Sequence, residues 1–379
     1  MRRIARWVAF SALILVALLA LTLNGVQASP AKQSATPQPT PATVPTSDEE
    51  CLACHSQPDQ IKTFPNGEQL YLTIDGEAYS HGLHSQAAQI SCTSCHTDIS
   101  GYPHPPLEAK NQRELAAQYS ETCKQCHAEQ AQKNMDSVHA QARAAGNENA
   151  AVCSDCHNPH YTVKPGEPRT NIPATCAKCH SEIAKEYRDT VHGQALFNEN
   201  NPDVPTCIDC HGVHNIADPT QNQFLLNSPQ LCAKCHTDEK MMAKYGLNTN
   251  VLNSYISDFH GTTVELFQKH SPDQLPNKPL CVDCHGVHSI LSTKNAQSTV
   301  FKENLLVTCQ KCHPSATANF SDAWLSHYTP SADKYPLVYF VNLFYLILLP
   351  VVLVGMAIFV LSDIGRRIVN RRKKGGNKS

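Results

Sequence analysis

All 18 cysteines of this 379-residue chain occur in nine C-x-x-C pairs, and a histidine directly follows every pair. C-x-x-C-H is typical of c-type haem attachment, in which both thiols bind one porphyrin and the histidine ligates the iron. Zinc sites and disulfide frameworks also use paired cysteines, but neither explains a histidine after every pair. The motifs therefore predict nine covalently bound haem c groups. The cysteines are Cys51, Cys54, Cys92, Cys95, Cys123, Cys126, Cys153, Cys156, Cys176, Cys179, Cys207, Cys210, Cys232, Cys235, Cys281, Cys284, Cys309 and Cys312, and the histidines are His55, His96, His127, His157, His180, His211, His236, His285 and His313.

The number of motifs limits the fold. Each motif has only about 40 residues of chain to itself, which is too little protein to enclose each cofactor separately. Aromatic residues make up 7% of the chain and there are 25 prolines, so we expect no large apolar core. The predicted fold is mainly α-helix and loop, with the haems forming the core. Residues 69–74 could pair as a short strand.

Further histidines reveal a repeat when the motifs are taken in twos. The first motif of each two is followed, after a helix-like segment, by a lone histidine. The second motif has a histidine close behind it. The chain thus contains four double repeats, numbered 1 to 4, and a final half repeat that begins at Cys309. The lone histidines are His84, His139, His192, His260 and His327, and the close histidines are His104, His160, His214 and His288.

The histidine count predicts the iron ligands. Of 20 histidines, nine follow a motif and nine occupy repeated positions, which leaves only His81 and His270. Methionine is too rare in the haem region to supply nine second ligands. We therefore expect two histidines on every iron, with His81 or His270 as substitutes at one site. For any single histidine, the alternative is an ordinary surface position.

Spacing restricts which haem each close histidine can reach. Residues three apart lie on one side of a short helical turn, whereas two axial ligands must approach the iron from opposite faces. His214 therefore cannot share an iron with His211 of its own motif. We expect His160, His214 and His288 to reach a neighbouring haem.

The N-terminal region has the features of an export signal. Arg2, Arg3 and Arg6 precede an apolar run and then small residues up to Ala28, which predicts a signal peptide over residues 1–28. An uncleaved N-terminal anchor is the alternative. Residues 29–49 are rich in Pro, Thr and Ala, and this composition predicts a flexible linker before the nonahaem region at 50–335.

The C-terminal region predicts a membrane anchor. The apolar stretch 337–361 is long enough to cross a bilayer, so we expect a transmembrane helix over 336–362, with a buried core helix as the alternative. Residues 363–379 carry seven basic side chains and should lie in the cytoplasm. The haem domain is then expected on the periplasmic side of a bacterial cytoplasmic membrane. The span contains no histidine and cannot itself hold a bis-histidine haem.

The charge of the haem region differs from that of the chain ends. Residues 29–335 contain 21 basic and 32 acidic residues, so this part of the chain is acidic. An acidic surface disfavours nucleic acid and favours a partner with a basic docking face. Simple solubility is the alternative explanation.

Several stretches resemble the multihaem cytochromes c of bacterial respiration, including NapC/NirT-type quinol-oxidising cytochromes and octahaem cytochromes. They are SCTSCHTDISGYPHPP at 91–106 and D-C-H-G-V-H at 209–214 and 283–288. The resemblance covers residues 51–313. It implies electron transfer between membrane quinol and periplasmic or extracellular redox partners. Two features differ from that group: this chain has nine motifs rather than four or eight, and its anchor is C-terminal.

Two functions are compatible with the motifs. We expect a membrane-anchored nonahaem cytochrome that relays electrons outside the cytoplasm. Its partners would be a membrane cytochrome b or another quinol-oxidising subunit, and a periplasmic or extracellular cytochrome or reductase. No catalytic residue is predicted, because every motif is regular and every haem has a candidate second ligand. The alternative is a multihaem reductase or oxidase of a small nitrogen or sulfur compound, which requires one haem with an open position.

Overall fold

The computed structural model describes residues 47–86, 90–275, 277–322, 324, 327, 331–333 and 335–375. The predicted signal peptide and almost all of the predicted linker lie outside these residues. Within them the chain is mostly helical, which confirms the predicted fold class. The helices are Asp48–His55, Gly76–Ser80, Leu83–Gln86, Cys92–Cys95, Gln112–Cys123, Ala128–Met135, Val138–Ala144, Cys153–Cys156, Asn171–Ala177, Ser181–Arg188, Val191–Glu199, Cys207–His211, Asn222–His236, Glu239–Ala243, Val251–Ile256, Phe259–His270, Cys281–His285, Leu305–Gln310, Ala318–Asp322 and Pro336–Gly375, with a 3-10 turn at Lys302–Asn304.

The strands that the structure describes form one small hairpin. Ile61–Thr63 pairs antiparallel with Gln69–Tyr71, so that Ile61 lies opposite Tyr71. The second strand begins where the sequence predicts one but ends at Tyr71, before the expected end at residue 74.

First and second motifs occupy different local structures. After the opening helix Asp48–His55, each first motif lies at the C-terminal end of a helix that begins upstream, as in Gln112–Cys123 and Asn222–His236. Each second motif forms a one-turn helix of its own, as in Cys153–Cys156 and Cys207–His211. The alternation seen in the sequence therefore reflects two alternating ways of presenting the thiols.

Apolar packing in the described residues is limited to small clusters. One contains Phe64, Ala109 and Leu115, and the other contains Leu226, Val264 and Leu280. Clusters of this size remove little apolar surface from water, and burial of such surface is the main driving force for folding. Apolar side chains therefore fill little of the core. The haems are expected to fill the rest, as the number of motifs predicts.

Backbone hydrogen bonds tie consecutive repeats together at the lone histidines. In each of the first three repeats, the residue just before the lone histidine donates its N–H to a carbonyl in the next repeat. That carbonyl lies shortly after the second motif. The bonds are Leu83 N to Thr162 O at 2.8 Å, Val138 N to Ile216 O at 2.8 Å and Val191 N to Ile290 O at 3.0 Å. Each of these three repeats is thus joined to the next repeat by an equivalent backbone hydrogen bond.

One helix among the described residues is long and apolar enough to cross a membrane. It runs from Pro336 to Gly375, and the candidate span is Pro336–Arg371. The helix continues past the predicted end of the span at residue 362. Beyond the apolar stretch, Asp363 accepts hydrogen bonds from Arg366 and Arg367, each at 2.7 Å.

Residues Ile99–Pro105 make local contacts with one another. His104 Nδ1 lies 2.8 Å from Gly101 O. The ring of His104 also packs edge-on against Tyr102, with ring centres 5.9 Å apart.

Candidate haem sites

Three lone histidines sit in the same place at the start of a helix. Each follows a capping residue by two positions, and the cap accepts a hydrogen bond from a backbone N–H in the first turn. Such caps satisfy donors that have no partner within the helix, so they fix where each helix begins. Two of the caps, Ser137 and Thr190, are fully buried. The caps are Ser137 for His139, Thr190 for His192 and Asp258 for His260.

Three second motifs share a different cap. The residue before the second cysteine is an aspartate, whose carboxylate accepts a hydrogen bond from the backbone N–H just before the first cysteine. The bonds are 2.6 Å for Asp155 to Val152 N, 2.6 Å for Asp209 to Thr206 N and 2.7 Å for Asp283 to Leu280 N. This contact closes the turn that carries both thiols, as in a capping box.

Eight pairs of histidine rings face each other in the described residues. Every pair joins one histidine that follows a motif to one lone or close histidine. The pairs and their ring-centre distances are His84/His127 at 6.2 Å, His96/His160 at 6.0 Å, His139/His180 at 6.2 Å, His157/His214 at 6.2 Å, His192/His236 at 6.3 Å, His211/His288 at 6.0 Å, His260/His313 at 6.2 Å and His285/His327 at 6.2 Å.

These distances fit one metal ion between each pair of rings. A metal-to-imidazole bond of about 2 Å on each side, plus roughly 1 Å from each nitrogen to its ring centre, gives about 6 Å. The observed range of 6.0–6.3 Å agrees with this value. Rings in direct van der Waals stacking would lie closer together. The residues present therefore fit haem iron held by two histidines.

The other ring nitrogen of several histidines is engaged by the protein. A metal-bound imidazole usually donates its second ring nitrogen to an oxygen, which fixes the orientation of the ring. Here Nδ1 makes that contact, so Nε2 is the nitrogen that would bind the metal. The contacts are His55 Nδ1 to Leu72 O at 3.0 Å, His84 Nδ1 to Pro159 O at 3.2 Å, His260 Nδ1 to Asp258 Oδ1 at 3.4 Å and His327 Nδ1 to Ser254 Oγ at 3.1 Å.

Burial favours the neutral form of several of the paired imidazoles, which is the form that binds metal. It lowers the pKa of His192 to about 4, with a smaller effect from His236. Burial likewise lowers the pKa of His160 and His285 from the ordinary value, and in each case the facing histidine adds to the effect. A charged imidazole is disfavoured in these positions because it would lose hydration.

The pairs cross between repeats in both directions. The lone histidine of a repeat faces the first motif of the next repeat, as His139 faces His180. The close histidine of a repeat faces the second motif of the preceding one, as His214 faces His157. The use of these close histidines as ligands of a neighbouring haem stays a prediction. In the half repeat, His327 faces His285 of repeat 4.

Within repeats 2, 3 and 4, the first thiols of the two motifs form hydrogen bonds to each other. This bond lowers the pKa of Cys153 to about 6 and raises that of Cys123. The same contact lowers the pKa of Cys176 and of Cys232, each to about 7. In repeat 1, the pKa of Cys92 is raised by burial, by Asp48 and by Cys51. The two attachment sites of each repeat are therefore adjacent.

Thiols of consecutive repeats are also neighbours. Burial raises the pKa of the second thiol of each second motif, and a cysteine of the next repeat raises it further. The neighbouring pairs are Cys95/Cys126, Cys156/Cys176, Cys210/Cys232 and Cys284/Cys309. Together with the contacts inside each repeat, these pairs place the nine attachment sites in the order of the chain.

His81 and His270 lie apart from the ring pairs that the structure describes. His81 caps the C-terminal end of helix Gly76–Ser80, and His270 is the last residue of helix Phe259–His270. Both are exposed. Their use as substitute ligands stays a prediction.

Aromatic side chains next to the histidines were missed by the sequence reasoning. Tyr119 packs edge-on against His96 at 4.8 Å, Phe224 stacks on His211 at 5.6 Å, and Phe320 packs against His313 at 5.1 Å. No spacing rule in the sequence links these aromatics to the motifs, because each reaches its histidine from a different helix.

The motifs, the facing histidines and the ordered thiols define a class of protein, and comparison with known proteins supports the same class, the multihaem c-type cytochromes. Residues 23–140 match a family model described as outer membrane cytochrome MtrC/MtrF-like, domains II/IV, and residues 144–185 match the doubled CXXCH motif.

A curated relative also matches part of the chain. Cytochrome c-type protein NrfB of Escherichia coli O6:H1 is 25% identical over 125 residues, which cover 24% of this chain and 66% of that protein. No solved structure matches the chain significantly. The similarity supports covalent haem attachment and electron transfer.

Proposed function

We propose that this chain is a membrane-anchored nonahaem cytochrome that relays electrons outside the cytoplasm. The observation that carries this proposal is the set of eight histidine pairs, each spaced for one iron between two rings. An iron with histidine on both faces has no position left for a substrate. It can still accept and release an electron, which is the chemistry that haem c supplies when bound.

The proposed sites use every motif. Each cysteine pair attaches one haem, and the histidine that follows it is the first axial ligand. The second ligands in the eight pairs are His84, His139, His160, His192, His214, His260, His288 and His327. His55 and His104 complete the set of ligands predicted from the sequence.

The order of the attachment sites supports a relay rather than a set of separate centres. Consecutive motifs place their thiols next to each other from Cys51/Cys92 to Cys284/Cys309. An electron that enters at one end can therefore pass from site to site in chain order. The facing histidines would hold each iron between two fixed rings, so an electron transfer there would require little rearrangement of these side chains.

The candidate membrane helix supports anchoring at one end of this relay. The ninth motif at Cys309/Cys312 is the nearest to helix Pro336–Gly375 in the sequence. This helix contains no histidine, so it holds the relay at the membrane without carrying electrons across it. Quinol is then oxidised by a partner such as a membrane cytochrome b, and the acceptor is a periplasmic or extracellular cytochrome or reductase.

Reconstitution in liposomes tests this function. We expect a menaquinol analogue to reduce the isolated protein slowly, and co-reconstitution with the native membrane partner to accelerate the reduction strongly. Absorbance at the haem bands follows the reaction. Rapid, inhibitor-sensitive reduction without a partner would place the quinol site in this chain. Turnover of nitrite or hydroxylamine at one high-spin haem would favour the reductase or oxidase instead.

A further inference from the structure

Two arginines make the same set of contacts in successive repeats. Arg113 donates to the carbonyls of Glu148 and Ala150 and forms an ion pair with Asp155 at 2.7 Å. Arg169 donates to the carbonyls of Pro202 and Val204 and forms an ion pair with Asp209 at 3.4 Å. In both repeats the carbonyls lie just before the second motif, and the aspartate lies inside it.

Repeat 4 has the same aspartate without the arginine. Asp283 caps its motif helix through Leu280 N at 2.7 Å, as Asp155 and Asp209 cap theirs. The sequence contains no arginine between Arg188 and Arg366, and the guanidinium of Arg188 lies over the ring of Phe197. Lys278 precedes this motif, but its ammonium lies over the ring of Phe259 at 4.2 Å.

Each of the three second motifs also has one lysine nearby. A lysine from the following motif lies close to the second thiol in each case: Lys178 near Cys156, Lys234 near Cys210 and Lys311 near Cys284. The arginine is therefore one charge difference between repeats 2 and 3 on one side and repeat 4 on the other. Asp203 near Arg169 and Asp258 near Tyr255 are two others.

We propose that Arg113 and Arg169 are positioning residues that raise the reduction potentials of the haems at Cys153/Cys156 and Cys207/Cys210 above that of the haem at Cys281/Cys284. Each aspartate lies two residues before the histidine that ligates the iron. An uncompensated carboxylate stabilises the ferric state, because that state carries one more positive charge than the ferrous state. A guanidinium bound to the carboxylate cancels this effect.

The proposal rests on the proposed attachment of haem at all three motifs, and the test separates the two. Intact mass first counts the haems in the full-length wild type and in each variant. Spectroelectrochemical titration then measures the potentials. In Arg113→Gln and in Arg169→Gln, one haem equivalent should titrate at a lower potential while the count stays at nine.

Matched variants separate charge from shape. Arg169→Lys keeps the charge and should leave the potential near that of the wild type. Arg169→Gln combined with Asp209→Asn removes both charges and should also restore it. Asp283→Asn, which leaves both arginines in place, should raise the potential of one haem. Arg188→Gln removes an exposed arginine that lies over Phe197 and should change nothing.

The outcomes decide both claims. Unchanged titrations in Arg113→Gln, Arg169→Gln and Asp283→Asn, with nine haems attached, would overturn this inference and leave the proposed function intact. A shift in Arg169→Lys as large as that in Arg169→Gln would also overturn it, because charge would then not be the cause. A wild type that lacks haem at these motifs would instead overturn the proposed function.

Discussion

The rings of His96 and His160 are nearly parallel, with an angle of 9° between their planes and their centres 6.0 Å apart. His96 follows the second motif of repeat 1, whereas His160 follows the second motif of repeat 2. A metal held between these rings would therefore link two repeats that share little apolar packing. Histidine pairs from two different repeats recur along the chain. We therefore expect loss of a ligand to weaken the packing of repeats, and altered packing to weaken ligation.

Removing one second ligand should open one haem. In His160→Ala, we expect one haem equivalent to change from low spin to high spin and to bind cyanide with a stoichiometry of one. Electron paramagnetic resonance and a cyanide titration measure both effects. Arg188→Gln is the control, because Arg188 is exposed and lies outside the ring pairs; this variant should remain low spin. A fully low-spin His160→Ala protein would contradict the ligand scheme.

The crossing of ligands between repeats can be tested with a second change. In His214→Ala, the haem at Cys153/Cys156 should become high spin. Replacing Cys153, Cys156 and His157 by alanine in the same chain should then remove the high-spin signal together with one haem. Replacing Cys207, Cys210 and His211 instead should preserve that signal. The opposite pattern would mean that His214 serves its own motif.

The number of haems follows from the intact motifs. We expect nine covalent haems in the mature protein, counted by intact mass and by pyridine haemochrome analysis. Replacing both cysteines of one motif, such as Cys207 and Cys210, should reduce the count to eight. Seven or fewer haems in wild-type protein from a host competent in haem attachment would refute the prediction.

Two glycines that follow lone histidines allow close helix contacts. A Cβ on Gly193 would lie 2.0 Å from Tyr187 O, and a Cβ on Gly261 would lie 2.2 Å from Tyr255 O. Because both obstacles are backbone atoms, Gly193→Ala should lower the free energy of unfolding by about 1–3 kcal/mol. Thermal unfolding measures the loss.

The same substitution should also affect the site, since it displaces the helix that carries His192. In Gly193→Ala, we expect the haem at Cys232/Cys235 to become high spin in a fraction of the protein molecules. Gly76→Ala is the control, because a Cβ there meets only side-chain atoms at 3.4 Å or more. Equal stability of these two variants would argue against the close contact.

The orientation of the membrane helix can be read with fusion reporters. Green fluorescent protein fused after Gly375 should fluoresce, since the basic residues around Arg366 and Arg371 favour the cytoplasmic side. Alkaline phosphatase fused at the same place should be inactive. Alkaline carbonate should fail to extract the full chain from membranes. An active phosphatase fusion would reverse the proposed topology.

The chemistry of each motif could be predicted from the sequence alone. Two thiols three residues apart and the histidine beside them belong to one short segment, so Cys207, Cys210 and His211 could be assigned to one site without knowledge of the fold. The repeat of lone and close histidines could also be predicted, because it is a pattern of positions along the chain. The mainly helical fold and the apolar C-terminal helix also followed from local composition and pattern.

Which histidines face each other depends on the tertiary structure and could not be predicted from the sequence. His139 and His180, like His157 and His214, belong to different repeats, and spacing along the chain does not fix how repeats pack. The arginine contacts were equally hidden. Arg113 and Arg169 donate hydrogen bonds to carbonyls that are far from them in sequence. Whether their side chains reach those carbonyls depends on how the helices pack. Long-range contacts of this kind depend on the packing of whole repeats, which local residue pattern does not encode.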